Sequence, residues 1–373
     1  MRLRALEARV YRVPIDTPVR TSFGIMRDRP AVLVRAIDEE GAEGWGEIWC
    51  NFPSVGAEHR ARLVEETIAP LLVGRDLDSP AAASAEAGRR LEVLAIQSGE
   101  PGPIAQAIAG IDIALWDLAA RRVGAPLFRL LGGMEVGRVP VYASGLNPDA
   151  PDRLAAEKHA EGHRAFKLKV GFGRERDVAN LAALRAALGD GAMLMIDANQ
   201  AWALDEAVAM ARAVEGFGLK WLEEPLRADA PRTQWAALAA SSSLPLAAGE
   251  NLRGEHAFAD AVSEGVLGVV QPDIGKWGGF SGCVKVGRDA IGAGLRFCPH
   301  WLGGGVGLVA SLHLLAAVGG DGLVEVDANP NPLRPLMATP FPKVVDGAMA
   351  LPVEPGLGVA PDLKGLREFE IRR

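Results

Sequence analysis

Seven polar side chains recur between residues 169 and 325 at nearly constant intervals, each at or near the end of a short apolar run. Lys169, Asp197, Glu223, Glu250, Asp273, His300 and Glu325 are separated by 28, 26, 27, 23, 27 and 25 residues. That interval holds one strand, one helix and their loops, so each step returns the chain to the same rim of a parallel sheet. The apolar runs lie at 139–143, 165–170, 193–198, 221–224, 246–250, 269–273, 296–300 and 324–327, with amphipathic helical stretches between them. Eight strands with seven intervening helical stretches predict an α/β fold, a closed barrel whose last unit is modified.

The preceding segment has a different texture. Residues 10–15, 31–37 and 43–49 alternate in the strand manner, with a turn at Glu39-Glu40-Gly41, and Ala- and Leu-rich helical stretches follow at 58–71, 80–95 and 103–122. Strands followed by helices predict a separate α+β unit. The last stretch, 341–373, is rich in Pro and Gly, then charged, and is expected to fold back on that unit. A chain of 373 residues with 49% hydrophobic composition has apolar surface enough for both units.

The formal charge of -7 argues against a nucleic acid or an anionic membrane as partner, since either needs a continuous positive face. Three cysteines, Cys50, Cys283 and Cys298, lack paired metal-ligand spacing and read as reduced residues of a cytoplasmic protein. Glu7, Arg9 and Arg12 interrupt any signal-peptide core, and the apolar stretch 306–318 is too short to span a bilayer.

A lone acid after a strand caps the next helix or faces water. Capping does not explain three acids in consecutive units flanked by basic residues. Asp197, Glu223 and Glu250 offer only oxygen, which suits one magnesium ion, with manganese an equal fit to the same donors. Lys167 and Lys169 stand two apart on a strand and point to one face, with Phe166, Leu168 and Val170 making the other face apolar. Crowding of two ammonium groups is expected to lower the proton affinity of one, which makes Lys169 the candidate base and leaves Lys167 to meet a substrate carboxylate. Asp273 and His300 end adjacent strands, so the carboxylate can orient the ring of a second acid/base.

These residues, in the motifs Lys167-Leu168-Lys169, Asp197-Ala198-Asn199, Trp221-Leu222-Glu223-Glu224-Pro225, Gly249-Glu250-Asn251, Gln271-Pro272-Asp273 with Lys276-Trp277-Gly278-Gly279, and Pro299-His300, resemble the mandelate racemase branch of the enolase superfamily. The run 109–118 is similar to that family's segment leading into the barrel. The resemblance spans almost the whole chain. It implies a modified TIM barrel, (β/α)7β, over residues 126–340, and an N-terminal α+β capping domain over 1–125 completed by the tail. It further implies a Lys or His base with magnesium stabilising an ene-diolate, a homo-oligomer, and specificity loops near 17–29 and 47–55. Asp273 with His300 separates the chain from the muconate-lactonizing branch, where a lysine takes the place of Asp273. Glu325 matches the last-strand acid that hydrogen-bonds the enolate side.

The expected reaction is removal of the proton alpha to the carboxylate of a small acid. With a hydroxyl on the beta carbon, His300 assists its departure and a sugar acid becomes a 2-keto-3-deoxy acid; without one, His300 returns a proton and the enzyme is a racemase or epimerase. Arg20, Thr21, Ser22, Arg27 and Asp28 in the first capping loop suit hydroxyl groups and favour dehydration. Candidate substrate contacts are Lys167, Asn199, Arg20, Thr21 and Trp301, while Trp49, Phe52 and Trp301 equally suit an aromatic substrate. One motif competes. Gly305-x-Gly307-x-x-Ala310, after a strand and before a helix, has the dinucleotide-binding pattern of a dehydrogenase. Its place after six strand-helix steps predicts instead that the glycines let a loop pass close to the substrate.

Overall fold

The computed structural model describes residues 1–134 and 137–372. Glu135, Val136 and Arg373, which fall in the predicted barrel and tail segments, lie outside the described residues. The N-terminal unit is an antiparallel sheet of β1 (Leu3–Arg20), β2 (Ile25–Asp38) and β3 (Glu43–Ile48), in that order. β1 and β2 run further than the alternation predicted. Residues 17–29, expected as a loop, continue the hairpin through the pairs Val19–Met26 and Arg20–Ile25, because Val19 and Met26 bury themselves against Leu302. Three helical segments cover the other face: α1 (Gly56–Arg62), which runs on into a π-helical stretch (Leu63–Ile68), α2 (Pro80–Ser98) and α3 (Pro101–Val123). Ser79 caps α2, its hydroxyl accepting from the Ala82 N–H, and Gly99 closes it at φ 70°. α3 lies directly under β3, where a Cβ at Gly46 would stand 2.0 Å from the Gly110 carbonyl oxygen, so glycine is required for this approach. α3 is long and apolar enough to cross a membrane, but 67% of its apolar window is buried as the core helix of this unit.

The second unit alternates strand and helix: β4 (Arg138–Leu146), α4 (Pro151–Ala160), β5 (Ala165–Lys169), α5 (Arg174–Leu188), β6 (Met193–Asp197), α6 (Leu204–Val214), β7 (Leu222–Glu223), α7 (Arg232–Ser241), β8 (Leu246–Ala248), α8 (Glu255–Ser263), β9 (Val269–Val270), α9 (Gly279–Gly292), β10 (Arg296–Phe297), α10 (Gly305–Val318) and β11 (Val324–Asp327). Every predicted apolar run overlaps one of these strands. The strands form one parallel series in the order β11-β4-β5-β6-β7-β8-β9-β10. Among the described residues no ladder joins β10 to β11. Their edges meet instead through the Leu323 N–H on Cys298 Sγ at 3.4 Å and the Trp301 N–H on Glu325 Oε2 at 3.0 Å.

The tail contributes more than a return to the first unit. Its hairpin, β12 (Val344–Val345) and β13 (Ala348–Ala350), lays β13 antiparallel on β4 and makes the large sheet mixed. The chain then crosses to the N-terminal unit, where the Leu357 N–H meets Asp117 Oδ1 at 2.7 Å and the Ile371 N–H meets the Val10 carbonyl at 2.8 Å.

Tyr142, Ala165, Met195, Trp221, Ala247, Val269, Cys298 and Leu323, one residue from each strand or its edge, pack into a single buried cluster. This cluster is a buried plug on one face of the parallel series. The strand period of two then fixes what stands above it: Ser144, Lys167, Asp197, Glu223, Gln271, His300 and Glu325 each lie two residues further along.

Candidate active site

Lys167 and Lys169 both face inward from β5, and both are buried. The Lys169 ammonium stands 2.5 Å from Asp197 Oδ2. The Lys167 ammonium bonds Glu223 Oε1 and lies 2.8 Å from Glu325 Oε1 and 3.7 Å from Asp197 Oδ2. Glu223 accepts in addition from Trp221 Nε1 at 3.0 Å and Gln271 Nε2 at 2.7 Å. Asp197 Oδ1 receives the Asn199 N–H at 2.7 Å, and this turn holds Asn199 at φ 44°.

On the opposite wall Asp273 and His300 form an isolated parallel bridge, and Asp273 Oδ2 lies 2.6 Å from His300 Nδ1. Asp273 Oδ1 accepts from the Gly275 and Lys276 N–H groups, which fixes the carboxylate. His300 Nε2 is 2.7 Å from Glu250 Oε2 and 3.4 Å from Glu325 Oε2. Lys276 reaches Glu250 Oε1 at 3.0 Å while its ammonium sits 4.4 Å from the centre of the Trp49 ring.

Electrostatics correct one expectation. Burial pulls the Lys169 proton affinity down, but the carboxylate of Asp197 outweighs both burial and the neighbouring Lys167, and the net shift is upward. Lys167 is likewise raised, with burial opposed by Glu223 and Glu325. Carboxylates, not the second ammonium, dominate the field at this pair. Burial raises Glu223 to about 7 despite Lys167, whereas Asp197, buried as fully, ends below its ordinary value because Lys169 and Lys167 both hold its charge. His300 is raised well above the usual imidazole range: burial opposes its charge, and Glu250, Glu325 and Asp273 more than offset that.

Asp197, Glu223 and Glu250 stand on three consecutive units, with Asp197 and Glu223 as ladder partners. As placed, each meets a lysine or His300, and among the described residues no three His, Cys, Asp or Glu side chains are arranged around one ion. Their chemistry nevertheless fits a divalent cation. Six buried acids, Asp197, Glu223, Glu224, Glu250, Asp273 and Glu325, share the site with four buried bases, Lys167, Lys169, Lys276 and His300, and burial beside other acids raises Glu223 to about 7 and holds Glu224 well above the usual carboxylate range, as a site short of positive charge does. Asn199 Oδ1 is also buried with no hydrogen-bond partner, an oxygen directed at a donor or cation still to come.

Several expected substrate contacts are engaged elsewhere. Arg20 is half exposed and turns to Asp149, 3.7 Å away. The Thr21 hydroxyl closes its own turn with Gly24. Trp301 is 2% exposed and donates its indole N–H to the Gly304 carbonyl, so only its backbone N–H reaches the site, on Glu325. Lys167 is buried, with its ammonium among Glu223, Glu325 and Asp197 and 5.3 Å from the centre of the Tyr142 ring. From the first hairpin it is Ser22 that approaches the mouth, its hydroxyl on the Asn199 carbonyl at 2.9 Å.

Sequence reasoning also passed over Ser144, whose hydroxyl donates to Glu325 Oε1, and Gln271, although both follow from stepping two residues along a strand from the plug. Glu224 went unassigned as well; it is buried at φ 40° and accepts from Asn251 Nδ2 at 2.8 Å. The glycine motif opens a helix whose N-terminus has an internal partner. The Gly304 and Gly307 N–H groups point at the Glu47 carboxyl, at 2.5 and 2.9 Å, so the group at this helix N-terminus is an internal side chain, raised to about 7 by burial against the pull of those two N–H groups, and not a dinucleotide phosphate.

Residues 5–132 match the mandelate racemase/muconate lactonizing enzyme N-terminal domain, and residues 151–365 match the enolase C-terminal domain-like family. A crystal structure of a mandelate racemase/muconate lactonizing enzyme from Bordetella bronchiseptica RB50 is 54% identical, with a TM-score of 0.92 over 98% of this chain and 99% of that one. A racemase from Streptomyces coelicolor A3(2) with bound magnesium is 31% identical, with a TM-score of 0.88 over 99% of this chain and 100% of that one. D-galactarolactone cycloisomerase of Agrobacterium fabrum is 32% identical over 100% of this chain and 99% of its own length. Other curated relatives are named as dehydratases and racemases.

Proposed function

The chain belongs to the mandelate racemase/muconate lactonizing family of the enolase superfamily, and from that premise we propose that it removes the proton alpha to the carboxylate of a sugar-derived acid and expels an oxygen from the beta carbon. The observation that carries the proposal is the opposition of two proton-transfer groups across one acid cluster, Lys169 against Asp197 and His300 against Glu250. We read the parallel series as a (β/α)7β barrel, residues 126–340, capped by 1–125 with the tail, in a cytoplasmic homo-oligomer. Asp197, Glu223 and Glu250 would hold one magnesium ion, or manganese. When bound, such an ion stabilises charge developing on the substrate carboxylate and takes up the Asp197 charge that otherwise keeps Lys169 protonated.

Lys169, as the amine, then accepts the alpha proton. The electron pair of the broken C–H bond first delocalises into the substrate carboxylate, and it then forms the double bond between the alpha and beta carbons as the beta C–O bond breaks. The departing oxygen takes its proton from His300 Nε2, which Asp273 orients through Nδ1. Loss of water leaves an enol that tautomerises to a 2-keto-3-deoxy acid. Glu325, held by Ser144, Lys167 and the Trp301 N–H, faces His300 and stabilises its charged form.

The cycloisomerase relative favours a second reading with the same bond changes. There the expelled oxygen is part of a ring and stays tethered to the product. A library of sugar acids and their lactones, incubated in deuterated buffer with and without magnesium and followed by NMR, tests both. A keto acid with release of water means dehydration, and an open-chain isomer from a lactone means cycloisomerisation. Alpha-deuteration with inversion and no new carbonyl overturns elimination in favour of racemisation, and a magnesium-independent change of nicotinamide absorbance overturns the whole reading.

A further inference from the structure

The end of β3 alternates between two destinations. Ile48 and Cys50 enter the core of the capping unit. Glu47, Trp49 and Asn51, on the other face by the period of two, all meet the loops that carry the Asp273–His300 pair. Glu47 accepts from the Gly304 and Gly307 N–H groups, and the Asn51 side-chain amide donates to the Leu302 carbonyl. The Trp49 N–H donates to the Gly275 carbonyl at 3.3 Å, and the Trp49 ring lies under the Lys276 ammonium. One strand end therefore grips both loops, at Leu302, Gly304 and Gly307 after His300 and at Gly275 and Lys276 after Asp273.

The glycines are there to let it. A Cβ at Gly304 would come within 2.5 Å of Glu47 Oε1, and one at Gly307 within 2.0 Å of the Trp301 ring. Glu47 is 1% exposed, so its carboxylate satisfies N–H groups that would otherwise be left without partners at a buried helix N-terminus.

We propose that Glu47 is a positioning residue for proton transfer: from the capping unit it fixes the loop of residues 301–307, and so holds His300 on Asp273. The segment 47–55 then sets the acid/base geometry as well as facing substrate. This rests on the reading of His300 as the acid that serves the leaving oxygen, and the test separates the two.

In protein labelled with nitrogen-15 at histidine and loaded with magnesium, the Nδ1 proton between His300 and Asp273 should give a low-field NMR resonance, assigned by its loss in His300→Asn. In Glu47→Ala that resonance is expected to broaden or vanish while far-UV circular dichroism is unchanged. kcat should fall on the order of 10²-fold with KM within about two-fold, as for a displaced catalytic group. If Glu47→Ala does not fold, Glu47→Gln decides. Its amide oxygen serves only one of the two N–H groups, so the resonance should shift and exchange faster with solvent. An unchanged resonance in a folded Glu47 variant overturns this inference even when His300→Asn abolishes turnover. Full turnover by His300→Asn overturns the catalytic reading, and the resonance still reports on positioning.

Discussion

Lys169 and Asp197 are ladder partners on β5 and β6, and the lysine ammonium stands 2.5 Å from the aspartate Oδ2. The same carboxylate therefore faces the proposed base and the proposed ion. Lys169→Ala is expected to abolish exchange of the alpha proton for one substrate epimer, a loss of about 10²–10⁴-fold. It also strips a buried carboxylate of a partner, which costs on the order of 3–5 kcal/mol without metal. Exchange should accordingly be measured by NMR in magnesium, with circular dichroism confirming the fold. Retention of exchange at the wild-type rate would remove Lys169 from the mechanism.

His300→Asn separates the two halves of the reaction. The amide keeps a polar group near Asp273 but cannot protonate a leaving oxygen, so product formation should stop while Lys169 continues to exchange the alpha proton into solvent. Deuterium content of recovered substrate and keto-acid yield, measured on one sample, give the ratio directly. Parallel loss of both would mean that His300 is needed before the first proton moves.

Magnesium should stabilise the folded chain independently of turnover. Binding to the native state alone adds RT ln(1 + [L]/Kd), about 2.7 kcal/mol at a hundredfold excess over Kd. Chelator-treated wild-type protein is expected to gain melting temperature on addition of magnesium, and Glu223→Gln to gain markedly less. An equal rise in both would show that Glu223 is not a ligand.

Much of this site was legible in the sequence because its signal is repetition. Eight apolar runs and seven polar residues at one interval fixed the strand series, and stepping two residues beyond the plug places Lys167, Asp197, Glu223, His300 and Glu325 in one layer. Proton affinities were not legible, since they depend on which charge is nearest in space: Lys167 lay next to Lys169 in the text, but Asp197 is closer in the fold. Side-chain direction at the capping hairpin was hidden for a related reason. Arg20 and Thr21 have the right chemistry for hydroxyl groups, yet a neighbouring carboxylate and a local turn claim them first. Glu47 was missed because its partners are backbone N–H groups some 257 and 260 residues away, which no side-chain pattern announces.

His313 ties the tail to the barrel and makes stability depend on pH. Its ring lies fully buried in α10; Nδ1 accepts the Phe128 N–H at 3.2 Å, which leaves the proton on Nε2, facing the Leu357 carbonyl at 3.1 Å. Burial pushes its pKa down from 6.5 to about 4, with only the Leu357 carbonyl opposing. Between those values the unfolded chain binds the proton and the folded chain does not. The stabilisation is thus present above pH 6.5 and lost as pH falls toward 4, by on the order of 3 kcal/mol. His163, also pushed down to about 4 by burial, adds a parallel slope, so the quantity to measure is the difference between wild type and His313→Phe. Urea midpoints at fixed magnesium across pH 4 to 6.5 should fall more steeply for wild type, although the variant starts lower for want of two hydrogen bonds. Equal slopes would mean that the His313 ring is protonated in the folded protein, and that the Phe128 N–H has found another acceptor.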